Sequence, residues 1–140
     1  MATKLTNMKK LEHIGIAVKN LNQANALFAK LLGRTHYKIE EVETEGVKTS
    51  FYEVNGVKIE LLEATQENSA IAKFIAKRGE GLHHLAFEVD DIQQGIEHYQ
   101  QQGFELTHPG AKKGADNKMI CFLHPRSTGG VLIELCQEIR

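Results

Sequence analysis

His13-Ile14-Gly15-Ile16-Ala17-Val18 returns 71 residues later as His84-Leu85-Ala86-Phe87-Glu88-Val89. Gly56-Val57-Lys58-Ile59-Glu60-Leu61 returns 74 residues later as Gly130-Val131-Leu132-Ile133-Glu134-Leu135. His13 precedes Glu60 by 47 residues, and His84 precedes Glu134 by 50. Each stretch reads as a strand, whose successive side chains point to opposite faces. Ile14, Ile16 and Val18, like Val57, Ile59 and Leu61, take the face that helices cover. Period two then sends His13, Glu60, His84 and Glu134 to the other, concave face. Two copies related by a pseudo-two-fold axis would present two imidazoles and two carboxylates on one inner surface. A buried carboxylate without a partner is costly, and one divalent cation balances two of them against two neutral imidazoles. Mixed N/O donors suit cobalt, nickel, manganese, zinc or iron, with two octahedral positions left for water or substrate oxygens. Taken singly, each of the four reads as an ordinary polar residue at a strand end. Their recurrence at matching positions is what points to a metal.

Outward from these stretches, the rest of the unit falls into place. Leu21, Ala24, Leu27, Phe28, Leu31 and Leu32 form a helical stripe that Gly33 ends. Strands are predicted around Tyr37–Thr44, Val47–Val54 and Val57–Ala64, the last two joined by the hairpin signal Asn55-Gly56. In the second copy His84–Val89 is a strand, Asp91 caps a helix striped by Ile92, Ile96 and Tyr99, and Gly103 follows it. Strands near Glu105–His108, Met119–Leu123 and Val131–Gln137 complete it. Asn68-Ser69 opens a short amphipathic helix (Ile71, Phe74, Ile75) that stops at Gly79 and has no later counterpart, so it reads as a linker. The predicted fold is α+β: two tandem βαβββ modules whose sheets curl into one metal-binding cleft, with the helices outside. Residues 1–10 read as a flexible leader and 11–140 as a single domain. Within it the first repeat spans about 11–66, the helical linker about 67–80 and the second repeat about 81–140.

At 140 residues the chain can bury about two thirds of its unfolded surface without staples. A formal charge of -1 lacks the basic excess expected of a nucleic-acid or membrane-surface partner. No apolar run approaches the roughly 18 residues of a membrane span, and the N-terminus has no apolar signal core. Cys121 and Cys136 sit in strand-like apolar context without a CxxC partner, which fits small core residues in a reduced cytoplasmic compartment. Of the other histidines, His83 alternates away from the ligand face and reads as a core or capping residue. His36, His98 and His108 read as surface residues, while His124, before Pro125, lies close enough to the Glu134 strand to line the cleft.

These residues resemble the vicinal-oxygen-chelate superfamily and, within it, the methylmalonyl-CoA epimerases. The resemblance covers Leu11 to Gln137. It rests on His13-Ile-Gly-Ile-Ala-Val, Ile59-Glu60-Leu-Leu, Gly81-Leu-His-His84-Leu-Ala and Phe122-Leu-His-Pro-Arg-Ser-Thr-Gly-Gly130-Val-Leu-Ile-Glu134-Leu. The first three motifs are common across the superfamily. The His-Pro step followed by Gly-Gly-Val-Leu-Ile-Glu-Leu is more particular to the epimerases, whereas glyoxalase I typically carries an Asp-Pro-(Asp/Asn)-Gly turn there.

The resemblance implies that His13, Glu60, His84 and Glu134 hold one divalent ion per chain, cobalt first, with manganese, nickel or zinc as alternatives. It implies interconversion of the two C2 epimers of methylmalonyl-CoA through a metal-stabilised enolate, as in propionate metabolism. Epimerisation removes a proton from one face of C2 and returns one to the other, so two opposed proton-transfer groups suit it. Glu134 and Glu60 are the candidates, Glu134 foremost. Some members carry a further carboxylate just after the Gly-Val step of the third strand. Here that stretch reads Gly46-Val47-Lys48-Thr49-Ser50, so a base must come from elsewhere. Lys112, Lys113, Lys118 and Arg126, in loops around the last two strands, are candidates to meet the phosphates of an acyl-CoA, with His124 beside the acyl group. Exposed edge strands or the helix Ser69–Arg78 would pair the chain as a homodimer. A glyoxalase-I-type lyase acting on a thiol hemithioacetal would use the same four ligands. A non-catalytic binding module often loses some of them, and an extradiol dioxygenase needs only three.

Overall fold

The computed structural model describes residues 8–140. The chain divides into two compact units: residues 13–83, and residues 84–140 together with the N-terminal residues through Glu12. The elements run β1 (Met8–Ala17), α1 (Leu21–Leu32), β2 (Lys38–Val42), β3 (Val47–Val54), β4 (Val57–Ala64), α2 (Ala70–Arg78), β5 (Gly81–Val89), α3 (Ile92–Gln101), β6 (Lys112–Lys113), β7 (Lys118–Leu123) and β8 (Ile133–Glu138). The α+β class and the tandem βαβββ order expected from the repeats are both present. Strand order is β2-β3-β4-β1 in the first module and β5-β8-β7-β6 in the second.

The local signals explain most boundaries. Asn20 Oδ1 accepts from Gln23 N at 2.9 Å to cap α1, and Asp91 Oδ1 accepts from Gln94 N at 3.1 Å to cap α3. Asn55 (φ 51°) and Gly56 (φ 93°) are both left-handed, as a two-residue hairpin between β3 and β4 requires. The repeat extends to single hydrogen bonds. Leu21 N, opening α1, donates to Glu63 Oε2 at 3.0 Å, and Ile92 N, opening α3, donates to Gln137 Oε1 at 2.7 Å. Each acceptor lies three residues after its module's repeated glutamate, so the last strand anchors the first turn of the helix in both copies.

Three boundaries differ from the expectation. β1 begins at Met8, so Met8–Lys10, expected as leader, are strand, while residues 1–7 of that leader lie outside the described residues. The strand expected near Glu105–His108 is reduced to a single bridge between Leu106 and Leu123, and β6 forms the edge instead. His108-Pro109 breaks the ladder there, because proline supplies no donor. The stripe on α1 also splits. Leu21, Ala24, Phe28 and Leu32 pack with Ile16, Val18, Tyr52, Ile59 and Leu61, whereas Leu27 and Leu31 are 58% and 69% exposed.

The equivalent core of the second module joins α3 (Ile92, Ile96) to Val89, Cys121, Leu123 and Leu135. Both repeat helices therefore cover the faces opposite the glutamates, as expected. Helix α2 does not. Ile71 packs on Ala17 and Leu62, which share the face of His13 and Glu60, so the linker helix covers one end of that face. This packing is why α2 belongs to the first unit rather than standing between two domains.

Behind Glu60, the β3 residues on the α1 side form a small polar core. Ser50 Oγ donates to Asn25 Oδ1 at 2.6 Å and Tyr52 OH donates to the same oxygen at 2.8 Å. Burial pushes the Tyr52 hydroxyl above its ordinary pKa, so it stays a donor. Asn25→Leu should leave both buried hydroxyls without this acceptor, at about 1–3 kcal/mol. The thermal unfolding midpoint should fall by several degrees, and an unchanged midpoint would show that the hydroxyls find other acceptors.

Candidate metal and substrate site

Each module builds one half of the donor set from its first and last strands. β1 runs parallel to β4 with Gly15 the partner of Glu60, and β5 runs parallel to β8 with Ala86 the partner of Glu134. In both, the histidine stands two residues before the glutamate's partner, so imidazole and carboxylate share a face one step apart. Nδ1 of His13 is 3.2 Å from Oε2 of Glu60, and Nε2 of His84 is 3.1 Å from Oε1 of Glu134. His13, Glu60 and Glu134 are 4% exposed and His84 6%. The ring of His84 meets Phe122 edge to face at 5.6 Å, and Phe122 is the cross-strand partner of Glu134.

This arrangement fits a divalent ion. Two donors held about 2.1 Å from one ion at right angles stand about 3.0 Å apart. Both buried N/O pairs have nearly that spacing, which a direct N–H···O hydrogen bond also gives, so each module presents two donor atoms that could hold an ion.

The remaining candidates are placed unequally. Lys112 and Lys113 form β6, and Lys118 is the first residue of β7, so these three are strand residues rather than loop residues. Lys113 is exposed, but Lys118 is 5% exposed and stands in the sheet. Arg126 is exposed and its Nε donates to Glu105 Oε2 at 2.8 Å. Nδ1 of His124 accepts from Arg126 N at 3.0 Å and caps the turn Pro125–Ser127, which leaves its Nε2 as the N–H of a neutral ring. Within Gly46–Ser50, Thr49 shares the face of Glu60, because Phe51 pairs with Glu60 and Thr49 with Leu62. A buried hydroxyl thus stands on that face. His83 is half-buried, its ring centroid 4.9 Å from that of Phe74 in an edge-to-face contact, in keeping with the core or capping role read for it. Glu12 is a buried carboxylate that the pattern did not reveal, since it precedes His13 on the alternating strand.

Both cysteines are fully buried. Cys121 pairs with Leu135 and Cys136 with Ile120, so their side chains point to opposite faces and both are free. Burial, then the nearby charge of Glu134, pushes the Cys121 thiol up to about 12, and the same causes push Cys136 up.

The family profile of the Glyoxalase/Bleomycin resistance protein/Dioxygenase superfamily matches residues 12–122. The chain belongs to that superfamily. The superfamily relatives include the uncharacterized protein YqjC of Bacillus subtilis, 36% identical over 130 residues and 93% of each chain. An ethylmalonyl-CoA/methylmalonyl-CoA epimerase of Cereibacter sphaeroides is 35% identical over 91% of this chain and 97% of its own. Among solved structures, the methylmalonyl-CoA epimerase of Mycobacterium tuberculosis has a TM-score of 0.91 and 34% identity, covering 100% of this chain and 94% of its own. A variant of the Streptomyces coelicolor methylmalonyl-CoA epimerase, in complex with 2-nitronate-propionyl-CoA, has a TM-score of 0.90 and 31% identity, covering 95% of this chain and 99% of its own. The resemblance to methylmalonyl-CoA epimerases read from the motifs is the one that these superfamily members carry.

Proposed function

We propose that this chain is a metal-dependent epimerase that interconverts the (R) and (S) C2 epimers of methylmalonyl-CoA. The repeated His/Glu pair carries the reading, buried at the same register and the same spacing in both modules. The names of the superfamily members of similar length support it. In this reading His13, Glu60, His84 and Glu134 face one cleft and hold one divalent ion, cobalt foremost. When bound, the ion supplies Lewis-acid stabilisation, on the order of several kcal/mol, to the negative charge that grows as C2 loses its proton.

The chain's own residues do the rest. In this reading each glutamate gives up its place as a ligand when it works on C2: Glu134 takes the proton from one face, and Glu60, protonated once free, returns one to the other face. Both exchange their protons with solvent before the next turnover. Each positioned proton-transfer group contributes on the order of 10²–10⁴-fold. The low accessibility of both pairs keeps bulk water from competing for C2 and strengthens electrostatic interactions within the site. Lys112, Lys113 and Arg126 are proposed to meet the CoA phosphates. Their support is charge alone, and Arg126 would first exchange Glu105 for a phosphate. His124 is proposed beside the acyl group.

Proton-to-deuterium exchange at C2 of methylmalonyl-CoA in heavy water, with metal-loaded protein, tests the reading. Exchange with formation of the other epimer is expected. Its absence, with turnover of a thiol hemithioacetal, would establish the glyoxalase-type alternative.

A homodimer in the cytoplasm completes the proposal. Its supports are two buried cysteines on opposite faces of the sheet, the edge strands β2 and β6, and exposed Tyr37 and Ile39 beside or on β2. No helix among the described residues is long and apolar enough to cross a membrane. Light scattering at micromolar concentration should give twice the chain mass of 15.7 kDa, and the monomer mass would remove the dimer.

A further inference from the structure

Among the described residues Lys118 is the buried lysine, and it shares the surroundings of Cys136 with the carboxylates of Glu134, Glu12 and Glu88. Register gives its face. Lys118 pairs with Glu138, Ile120 with Cys136, and Phe122 with Glu134, whose other neighbour is Ala86. Period two therefore puts Lys118, Ile120 and Phe122 on the face of Glu134 and His84, not on the α3 face. The hairpin between β6 and β7 closes over this row. Gly114 N donates to Lys118 O at 2.9 Å, and a Cβ at Gly114 would stand 2.7 Å from the Ile120 side chain. Asp116 (φ 59°) and Asn117 (φ 54°) make the left-handed turn that brings the chain back into Lys118.

The ammonium is poorly matched within the protein. It offers three N–H donors. Its ion-pair partner among the described residues is Glu138 Oε1, 3.9 Å away on a side chain that is 58% exposed. A charge-assisted hydrogen bond is about 2.7–2.9 Å long, so this pair is not one. A buried ammonium with so loose a partner is costly, and an anionic ligand would offset that cost. Four residues of β7 separate Lys118 from Phe122, about 13 Å, and a lysine stem spans roughly half of that.

We propose that Lys118 receives an anionic oxygen of the acyl-thioester substrate and so makes the site selective for it. The inference rests on the epimerase reading. Two parts of such a substrate offer that chemistry, the free carboxylate of a malonyl-type acyl group and the phosphates of CoA. The carboxylate is the better fit, because Lys118 is buried on the face of Glu134, whereas the exposed cations Lys113 and Arg126 suit a diphosphate at the surface.

Calorimetric binding to metal-loaded protein distinguishes the sources without requiring turnover. Three probes suffice: methylmalonyl-CoA, methylmalonyl-pantetheine (the same acyl group without phosphates) and propionyl-CoA (the same phosphates without a carboxylate). Lys118→Met should weaken both methylmalonyl probes about 10–100-fold and leave propionyl-CoA within about twofold. Loss confined to the two CoA probes keeps the anion role and reassigns it to phosphate. Equal affinities of wild type and variant for all three, or a loss on the uncharged-acyl and phosphate-free probes alike, would overturn the inference. Lys118→Gln repeats the comparison if the methionine variant does not fold. Wild-type protein that binds none of the probes would instead bring down the epimerase reading, and this inference with it.

Discussion

Glu134→Gln should abolish solvent exchange at C2 from one epimer of methylmalonyl-CoA while leaving some exchange from the other. Glu60→Gln should show the reverse preference. The amide keeps an oxygen able to bind a metal but removes the basic lone pairs of the carboxylate, so it isolates proton transfer better than alanine does. Each remaining carboxylate can still remove and return a proton on its own face. Net epimerisation needs both faces, so it should fall in both variants by about 10²–10⁴-fold, the contribution of a positioned acid or base. Isotope uptake from each pure epimer, followed by mass spectrometry, gives the four rates. If both variants keep their metal and epimerise at the wild-type rate, the carboxylates are ligands only, and His124 becomes the next residue to replace.

His84→Ala should cost the purified protein most of its metal, expected at about one divalent ion per chain. Removing a neutral imidazole leaves carboxylates poorly balanced around the cation, and the Nε2 that stands 3.1 Å from Glu134 has no substitute on its own face of β5, since His83 alternates to the other and Leu82 and Ala86 flank it. Elemental analysis of wild type and variant, each purified and then dialysed without chelator, measures the difference directly. Full occupancy in the variant would sink the four-ligand assignment.

The repeat makes both His/Glu pairs of the candidate site legible in the sequence, because strand alternation fixes which side chains share a face. His13 with Glu60, and His84 with Glu134, follow from that parity once β1 pairs with β4 and β5 with β8. Parity alone does not tell how deep a residue lies. Lys118 reads like a loop lysine in Lys112–Lys118, yet the turn at Asp116-Asn117 makes it a buried strand residue. Leu27 and Leu31 read as core from spacing, but they stay exposed beside the packed row of Leu21, Ala24, Phe28 and Leu32. Helix α2 read as a tether because it has no counterpart. Its packing on Ala17 and Leu62 depends on a tertiary contact across more than 50 residues, to which local pattern is blind. The ties from Glu63 and Gln137 to the helix N-termini were visible only as residues at matching offsets, a glutamate and a glutamine whose shared acceptor role the repeat does not spell out.

In each module the imidazole comes from the first strand and the carboxylate from the last, so each pair spans almost its whole module, 47 residues in one and 50 in the other. Seen as polymer chemistry, that contact is a clasp on a closed ring of chain. Ring closure at this length costs entropy that grows only slowly with ring size. An ion bound by both ends of such a ring binds the closed form and not the open one, so its affinity adds directly to the free energy holding each ring shut. On the proposed reading, these donor pairs would also be the points at which metal supply sets how often the modules open.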